Sequence, residues 1–340
     1  MGPCPRERFC QVVFMKKVGK CVFQGNREHF KMPPIFFDKQ GHFLYYTVWI
    51  TLSREDDMLL VNTETGIKYP FTFEAVGACD LETLEFAIQE IKANNLPVTR
   101  IVTIVGLDEL MEKGWIEPML AMAEEANIRL IVPPISPLME SDGKLEQRWN
   151  YSAPEGAWLG TFWNEETILK CEDVLREFLD EYDSLFSLDD HFGVLVTDLA
   201  VLEIIPANIF AKVSVLCGTS NTFKAALAAN EGADSINLVP MKVGQVEEIY
   251  AEVGGTIDVY IDPPRSICPS WYELDDIIAL APQYIEAGAG VLKAEGTETI
   301  AQLLDHDYLM KIAIPRQTMV FSEVMDACST APYKLILQDE

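Results

Sequence analysis

Polar side chains stand within or directly after apolar, strand-like runs at several places along this 340-residue chain. Carboxylates, lysines and amides in such positions could transfer protons, form an imine with a carbonyl compound or orient a substrate. Such chemistry needs a fold that brings the ends of different strands together. The candidates in chain order are Glu74, Asp108, Glu109, Asp198, Cys217, Ser220, Asn221, Asn237, Asp262, Arg265, Lys293 and Glu295.

Three of these residues are predicted to be catalytic or charge-stabilising groups. Glu74 alternates with Phe71 and Phe73, so burial could tune its carboxyl group as a general acid or base. Lys293 lies in the last predicted strand, where we expect it to pair with a carboxylate such as Glu74; an imine, favoured by desolvation of the amine, is the alternative. Asp262 ends another strand and could abstract a proton, bind a metal or cap the following helix.

The loop from Cys217 to Asn221 is the strongest candidate for substrate binding. Its Gly218 permits close approach of the backbone to a ligand, and the N-terminus of the following helix suits an anion. Ser220 or Asn221 would equally serve as a plain helix cap, as we also favour for Asp198. The predicted substrate-binding residues are Cys217, Ser220, Asn221, Asn237 and Arg265.

Motifs for metal binding and for nucleophilic hydrolysis are absent from the sequence. It contains no Cys-x-x-Cys, no His-Glu-x-x-His and no Gly-x-Ser-x-Gly segment. The four histidines are scattered, and we expect each to be structural. We therefore predict no metal ligands and name no cofactor.

The elements that must position these residues alternate between strand and helix from residue 70 onwards. Strand-like runs start near residues 71, 100, 128, 192, 212, 235, 257 and 290. Eight such strands separated by helices predict a (β/α)8 barrel over 71–340, with its active site at the carboxyl ends of the strands. A doubly wound open sheet is the alternative, but no Gly-x-Gly-x-x-Gly follows a strand.

Two regions depart from this alternation. Residues 1–70 form an N-terminal segment in which we predict a small antiparallel β-unit over 35–70, built on the runs at 42–52 and 58–62. The stretch 134–162 is rich in proline and glycine, and we predict a functional loop insertion in the barrel there.

Two segments near residues 283–294 are candidates for the eighth strand of the barrel. We predict that the helix after residue 274 ends before Pro282, because proline cannot continue a helix without cost. The eighth strand is then Gly290–Ala294, with Gln283–Glu286 as the alternative.

Composition excludes several classes of partner. The chain carries 53 acidic and 26 basic residues, a formal charge of −27, which disfavours binding to nucleic acid or anionic lipid. No apolar run reaches the roughly 20 residues that span a bilayer, and the N-terminus lacks the apolar core of a secretion signal. We expect a cytoplasmic protein with reduced cysteines and a small-molecule or peptide substrate.

The segment Lys212–Val239, KVSVLCGTSNTFKAALAANEGADSINLV, followed by a helix and by Ile257–Ile261, resembles the collagenase-like peptidases. These form family thirty-two of the unclassified peptidases. The resemblance implies a barrel, and either peptidase activity or oxygen-independent hydroxylation that uses an iron–sulfur cluster. The chain departs from the family's cysteine pattern, because only Cys268 is left near the corresponding segment. No cluster ligands are carried over.

Three functional hypotheses remain open at this stage. The first is a small-molecule lyase, isomerase or hydrolase that uses Glu74, Asp262 and Lys293. The second is the peptidase-like or cluster-dependent enzyme implied by the resemblance. The third is a non-catalytic barrel in a homo-oligomer or complex, with the aromatic-rich run at 42–52 as its interface.

Overall fold

A computed structural model describes residues 58–136, 165–264, 273–298 and 300–337, together with two short strands near the N-terminus. The chain divides into two compact units, Met1–Glu55 and Asp56–Glu340. In the first unit, β1 (Val13–Phe14) pairs antiparallel with β2 (Cys21–Val22). The predicted strand at 42–52 and most of the predicted loop at 134–162 lie outside the described residues.

The second unit is a closed (β/α)8 barrel, as predicted. Eight parallel strands pair in chain order, and the last pairs with the first to close the cylinder. The observed starts lie within three residues of the predicted ones. The strands of the second unit are β3 (Met58–Asn62), β4 (Lys68–Val76), β5 (Val98–Val102), β6 (Arg129–Val132), β7 (Phe192–Val196), β8 (Phe210–Val213), β9 (Ser235–Leu238), β10 (Thr256–Asp262), β11 (Ala289–Ala294) and β12 (Tyr333–Leu337). The barrel consists of β4–β11.

Helices cover the outside of the barrel. They are α1 (Leu81–Ala93), α2 (Leu107–Glu112), α3 (Ile116–Glu125), α4 (Glu165–Tyr182), α5 (Leu188–His191), α6 (Thr222–Asn230), α7 (Val243–Val253), α8 (Leu274–Glu286), α9 (His306–Tyr308) and α10 (Ile314–Cys328). Helix α6 has the predicted bounds, and α1 buries the predicted stripe at Leu84, Ala87, Ile88 and Ile91. Among the described helices, none is long and apolar enough to cross a membrane.

Side-chain alternation separates an apolar outer face of each barrel strand from a partly polar inner face. Strand β4 shows both faces. Phe73 points outward, and its ring stacks on Phe321 of α10 with centroids 4.5 Å apart. Glu74, the next residue, points into the barrel and is fully buried. Polar residues at alternate positions in a buried strand therefore meet one another in the lumen.

Two further strands extend the sheet beyond the barrel. The predicted strand β3 pairs antiparallel with the first residues of β4, and β12 pairs antiparallel with β3. Glu286 at the end of α8 fixes both strands, because it accepts hydrogen bonds from Asn62 Nδ2 at 2.7 Å and from the Tyr333 hydroxyl at 2.9 Å. The C-terminal segment thus packs against the residues that lead into the barrel.

The prediction that the helix ends before Pro282 is wrong, because α8 continues to Glu286. A proline inside a helix costs about 3 kcal/mol. Residues beyond it offset this cost, since Tyr284 and Ile285 are buried and the Tyr284 hydroxyl donates to the Met241 carbonyl at 2.5 Å. The alternative eighth strand at 283–286 is wrong for the same reason, and Ala289–Ala294 confirms the preferred one.

A capping box starts α1 immediately beyond β4. Asp80 accepts from the Thr83 backbone N–H at 2.8 Å, and Thr83 Oγ1 accepts from the Asp80 N–H at 3.0 Å. Asp80 also bonds His306 Nδ1 at 2.7 Å, which raises the pKa of His306. Burial alone would raise the pKa of Asp80, but hydrogen bonds from Thr83 and His306 lower it overall.

This pair predicts a pH-dependent contribution to stability. The raised pKa of His306 gives stabilisation that is complete below the ordinary pKa of about 6.5 and is lost as pH rises through the folded value. His306→Ala should therefore lower Tm by about 1–2 °C at pH 5.5 and by less at pH 9. Lys311→Met, which breaks the exposed pair with Asp307, serves as the control. If His306→Ala lowered Tm by the same amount at both pH values, the result would contradict a stabilising ion pair between His306 and Asp80.

Candidate functional site

Five charged side chains from five strands meet inside the barrel: Glu74 of β4, Arg100 of β5, Lys212 of β8, Asp258 of β10 and Lys293 of β11. Each is at most 6% exposed. Closure of the barrel sets Lys293 directly opposite Glu74 across β11 and β4, and Glu74 opposite Arg100 across β4 and β5. Three cations and two carboxylates therefore share one buried layer, which we call the ionic layer.

Asp258 is the most heavily bonded member of the ionic layer. Lys212 Nζ contacts its carboxylate, Arg100 Nη1 lies 3.3 Å from both carboxylate oxygens, and Ser235 Oγ donates at 2.6 Å. Burial favours the neutral acid, but attraction by Lys212 and Arg100 and the hydrogen bonds outweigh it. The pKa of Asp258 consequently lies below its ordinary value.

Glu74 links Lys212 and Arg100, which bind Asp258, to Lys293, which lies nearer the carboxyl ends of the strands. Its Oε2 lies 2.9 Å from Lys212 Nζ and 4.0 Å from Arg100 Nη1, while its Oε1 lies 3.3 Å from Lys293 Nζ. The carboxylate therefore acts as counter-ion to cations on both sides. The pairing of Glu74 with Lys293, one of the two alternatives from the sequence, is present in the structure.

Lys293 also takes part in a second group nearer the carboxyl ends of the strands. Its Nζ lies 4.6 Å from the centroid of the Tyr260 ring and 3.7 Å from Glu295 Oε1, and the Tyr260 hydroxyl donates to the same oxygen. Burial lowers the pKa of Lys293 against the attraction of Glu74, and burial raises the pKa values of Glu295 and Tyr260. The amine and the carboxyl group are both shifted towards their neutral forms.

Asn237 of β9 completes this second group. Alternation with Ser235, whose hydroxyl bonds Asp258, turns the Asn237 side chain into the lumen. It is fully buried, and it lies close enough to Tyr260 to lower the pKa of that hydroxyl. Among the described residues, however, neither of its amide atoms makes a well-formed hydrogen bond, and Glu295 Oε2 likewise has no hydrogen-bond partner.

Helix α10 is fastened to the carboxyl ends of the strands by two adjacent residues. Arg316 binds Asp262, at the end of β10, through Nε at 2.7 Å and Nη2 at 2.8 Å. Gln317 Nε2 donates to the carbonyls of Val76 and Glu295, and its Oε1 accepts from the Val76 N–H. The predicted catalytic residue Asp262 is thus held by a bidentate arginine beside the group around Lys293.

The predicted binding loop after β8 has mainly backbone partners. The Cys217 thiol donates to the Val196 carbonyl at 3.4 Å, Ser220 Oγ accepts from the Val239 N–H at 3.4 Å, and Asn221 Oδ1 accepts from the Lys224 N–H at 2.9 Å. Burial raises the pKa of the Cys217 thiol. Asn221 therefore caps α6, and Asp198 caps a short 3-10 helix, as favoured. The remaining predicted binding residue, Arg265, lies outside the described residues.

The structure thus gathers only part of the predicted set. It brings Glu74, Asn237, Lys293 and Glu295 together around Tyr260, whereas Asp108 and Glu109 pair with lysines on the surface. Sequence reasoning missed Arg100, Lys212, Ser235, Asp258 and Tyr260 as members of the site. Ser235 lies two residues before Asn237, and Asp258 and Tyr260 alternate with Asp262, so strict alternation from these candidates would have selected all three. Arg100 and Lys212 open their predicted strands with no candidate at an alternate position.

The thiols in the described residues do not fit an iron–sulfur cluster, which needs several cysteines in one place. Cys79 follows β4, Cys171 lies in α4, Cys217 follows β8 and Cys328 ends α10, and each of these four thiols is buried. Within the described ranges, no three His, Cys, Asp or Glu side chains are grouped to hold a metal ion.

No family model and no curated protein sequence matches the chain. Similar solved structures include the U32 peptidase Mk0906, at 14% identity and TM-score 0.37 over 70% of this chain and 83% of that one. The YdjI aldolase from Escherichia coli K12 is 12% identical, with a TM-score of 0.37 over 76% of this chain and 93% of that one. A truncated 3-deoxy-D-arabino-heptulosonate 7-phosphate synthase from Thermotoga maritima is 11% identical, with a TM-score of 0.41 over 79% of this chain and 91% of that one. Likenesses this distant carry no argument about the reaction, and the barrel rests on its own strand pairings.

Proposed function

We propose that the chain is a small-molecule enzyme in which the Lys293 amine forms an imine with a carbonyl compound. The observation that carries this proposal is the placement of that amine at the carboxyl end of the barrel, against Tyr260 and Glu295. Burial favours the neutral, nucleophilic amine, and it favours the protonated carboxyl group beside it. A nucleophile and an acid in contact are what imine formation requires.

Each group has a defined step in this reaction. The Lys293 nitrogen bonds to the carbonyl carbon, and one of its protons passes to the carbonyl oxygen to give a carbinolamine. The carbinolamine hydroxyl then takes a second proton from Glu295 and leaves as water. This leaves a protonated imine, which keeps the last N–H proton, and a Glu295 carboxylate, which can then act as a base. The imine then withdraws electrons from the adjacent carbon, so that a C–H or C–C bond there can break with Glu295 as base. The reaction class is a lyase or an isomerase.

The other predicted catalytic residues take supporting roles in the proposal. Glu74, 3.3 Å from Lys293 Nζ, stabilises the positive charge of a protonated imine. Asp262, held by Arg316, positions the end of β10 next to Tyr260. Contact of Cys217, Ser220, Asn221 or Arg265 with substrate stays a prediction, as do cytoplasmic location and membership of the collagenase-like peptidase family.

Trapping with borohydride tests the proposal directly. Borohydride reduces an imine to a stable secondary amine, so a bound carbonyl compound leaves a covalent mass increment. We expect the protein, incubated for hours with glycolaldehyde, glyceraldehyde or pyruvate, to acquire one increment that peptide mapping assigns to Lys293. Long incubation matters, because the residue is only 3% exposed and reagents reach it slowly.

Three variants make the result decisive. Lys293→Met removes the amine, and Lys293→Arg keeps the positive charge but cannot form an imine; both should lose the increment. Lys311→Met removes an exposed lysine and should be labelled like the parent. Labelling spread over surface lysines, and equal in the Lys293 variants, would reject imine chemistry and leave Lys293 as a structural partner of Glu74.

A further inference from the structure

We infer that the substrate is a short, uncharged hydroxy-aldehyde or hydroxy-ketone, with the Asn237 amide as the group that recognises its hydroxyl. This inference rests on the proposed function, because it places the substrate carbonyl at Lys293. It goes further by naming the substrate class and a specificity-determining residue on a different strand.

The first argument is the unsatisfied hydrogen-bonding capacity of Asn237. A buried amide that lacks partners costs about 1–3 kcal/mol for each unsatisfied group. Asn237 is fully buried in the lumen; its amide interacts with the Tyr260 hydroxyl, but neither amide atom meets hydrogen-bond geometry with any of the described residues. An apolar residue would fill the same space without that cost. The amide is therefore suited to a ligand that both donates and accepts, as a hydroxyl group does.

The second argument is the position of Asn237 relative to the reacting groups. Tyr260 lies between them, with Lys293 Nζ against its ring and the Asn237 amide close to its hydroxyl. Glu295 accepts from the Tyr260 hydroxyl through Oε1, and its Oε2 is a second buried oxygen without a hydrogen-bond partner in the part of the chain that the structure describes. A carbonyl held at Lys293 thus has polar groups with unused capacity a short distance away, which suits a hydroxyl near the carbonyl.

The third argument concerns charge. Near this group, the described cations are already engaged: Lys293 with Glu74 and Glu295, and Arg316 with Asp262 in a bidentate pair. A substrate phosphate or carboxylate would face these carboxyl groups without a cation of its own in the described part of the site. An uncharged compound avoids both the repulsion and the desolvation of a second charge.

Borohydride trapping with matched probes tests the inference. Glyceraldehyde is compared with propanal, which lacks the hydroxyls, and with glyceraldehyde 3-phosphate and pyruvate, which are anionic; the readout is the concentration that half-saturates labelling of Lys293. We expect glyceraldehyde to need the lowest concentration. In Asn237→Ala, the preference for glyceraldehyde over propanal should fall roughly three- to tenfold, the loss typical of one hydrogen bond.

The possible outcomes distinguish the inferred substrate class from the proposed imine chemistry at Lys293. Labelling of Lys293 that is equal for glyceraldehyde and propanal, or tightest for an anionic probe, overturns the substrate class and leaves imine chemistry standing. Failure of all probes to label Lys293 overturns both. Asn237→Ser, which retains a hydroxyl, should keep part of the preference; the comparison of probes on the parent protein decides the matter even where a variant folds poorly.

Discussion

Replacing Asp258 with asparagine should lower the free energy of unfolding by about 3–5 kcal/mol. The substitution keeps the shape of the side chain but leaves Lys212 and Arg100 buried without their main counter-ion. Two desolvated cations near each other then repel, and Ser235 loses a charged acceptor. Urea denaturation at pH 7, followed by circular dichroism, measures the difference.

The control for Asp258→Asn is the same change at Asp307, whose pair with Lys311 is solvent-exposed. Solvent screens an exposed pair, so Asp307→Asn should be nearly neutral. The double variant Asp258→Asn, Lys212→Met should be less destabilised than the sum of its single variants, because it removes the uncompensated cation together with the carboxylate. Equal, small losses for Asp258→Asn and Asp307→Asn would show that the ionic layer contributes little.

The pH dependence of this difference has a definite sign. Since the pKa of Asp258 is lower in the folded protein, its ionisation stabilises the fold above the ordinary aspartate pKa of about 3.9. That contribution is lost as pH falls through the folded value. The difference in free energy of unfolding between the parent and Asp258→Asn should therefore be largest near pH 7 and should become smaller in acid.

The barrel itself could be predicted from local patterns. Apolar runs such as Phe192–Val196 and Ile257–Ile261 mark buried parallel strands, and the helix between Asn221 and Asn230 carries its own cap. Long-range contacts explain what was missed. Pro282 indicates a helix end locally, but packing of the residues beyond it keeps α8 intact. Strand β12 forms only because β3, far away in the chain, offers it an edge.

The site was only half predictable, because alternation indicates which residues face the lumen but not which of them meet. Glu74 and Lys293 could be paired in advance, since the first and last strands of a closed barrel are neighbours. The contact of Lys212 with Asp258 depends on strand tilt and on side-chain length across the lumen, neither of which is local. In the run Ile257–Ile261, moreover, a buried aspartate is hidden among apolar residues that dominate the pattern.

Replacing Gln317 with leucine should lower the free energy of unfolding by about 2–4 kcal/mol, although the two side chains have similar volumes. The Gln317 amide is 2% exposed and joins the end of β4 to the residue after β11. Leucine would leave the Val76 N–H without its acceptor and would remove one donor from each of two buried carbonyls. Amide hydrogen exchange in the peptide that contains Val76 should also become faster.

Gln89→Leu makes the matched control, because Gln89 also lies in a helix but is exposed and bonds the exposed side chain of Glu85, one turn earlier. It should change stability by no more than about 0.5 kcal/mol and leave exchange at Val76 unaltered. Because Gln317 holds the Glu295 carbonyl, Gln317→Leu should also slow trapping at Lys293 if the loop after β11 positions the acid. Similar stability losses for the two leucine variants would mean that α10 is held by its apolar contacts, such as Phe321 on Phe73, and that the amide of Gln317 is dispensable.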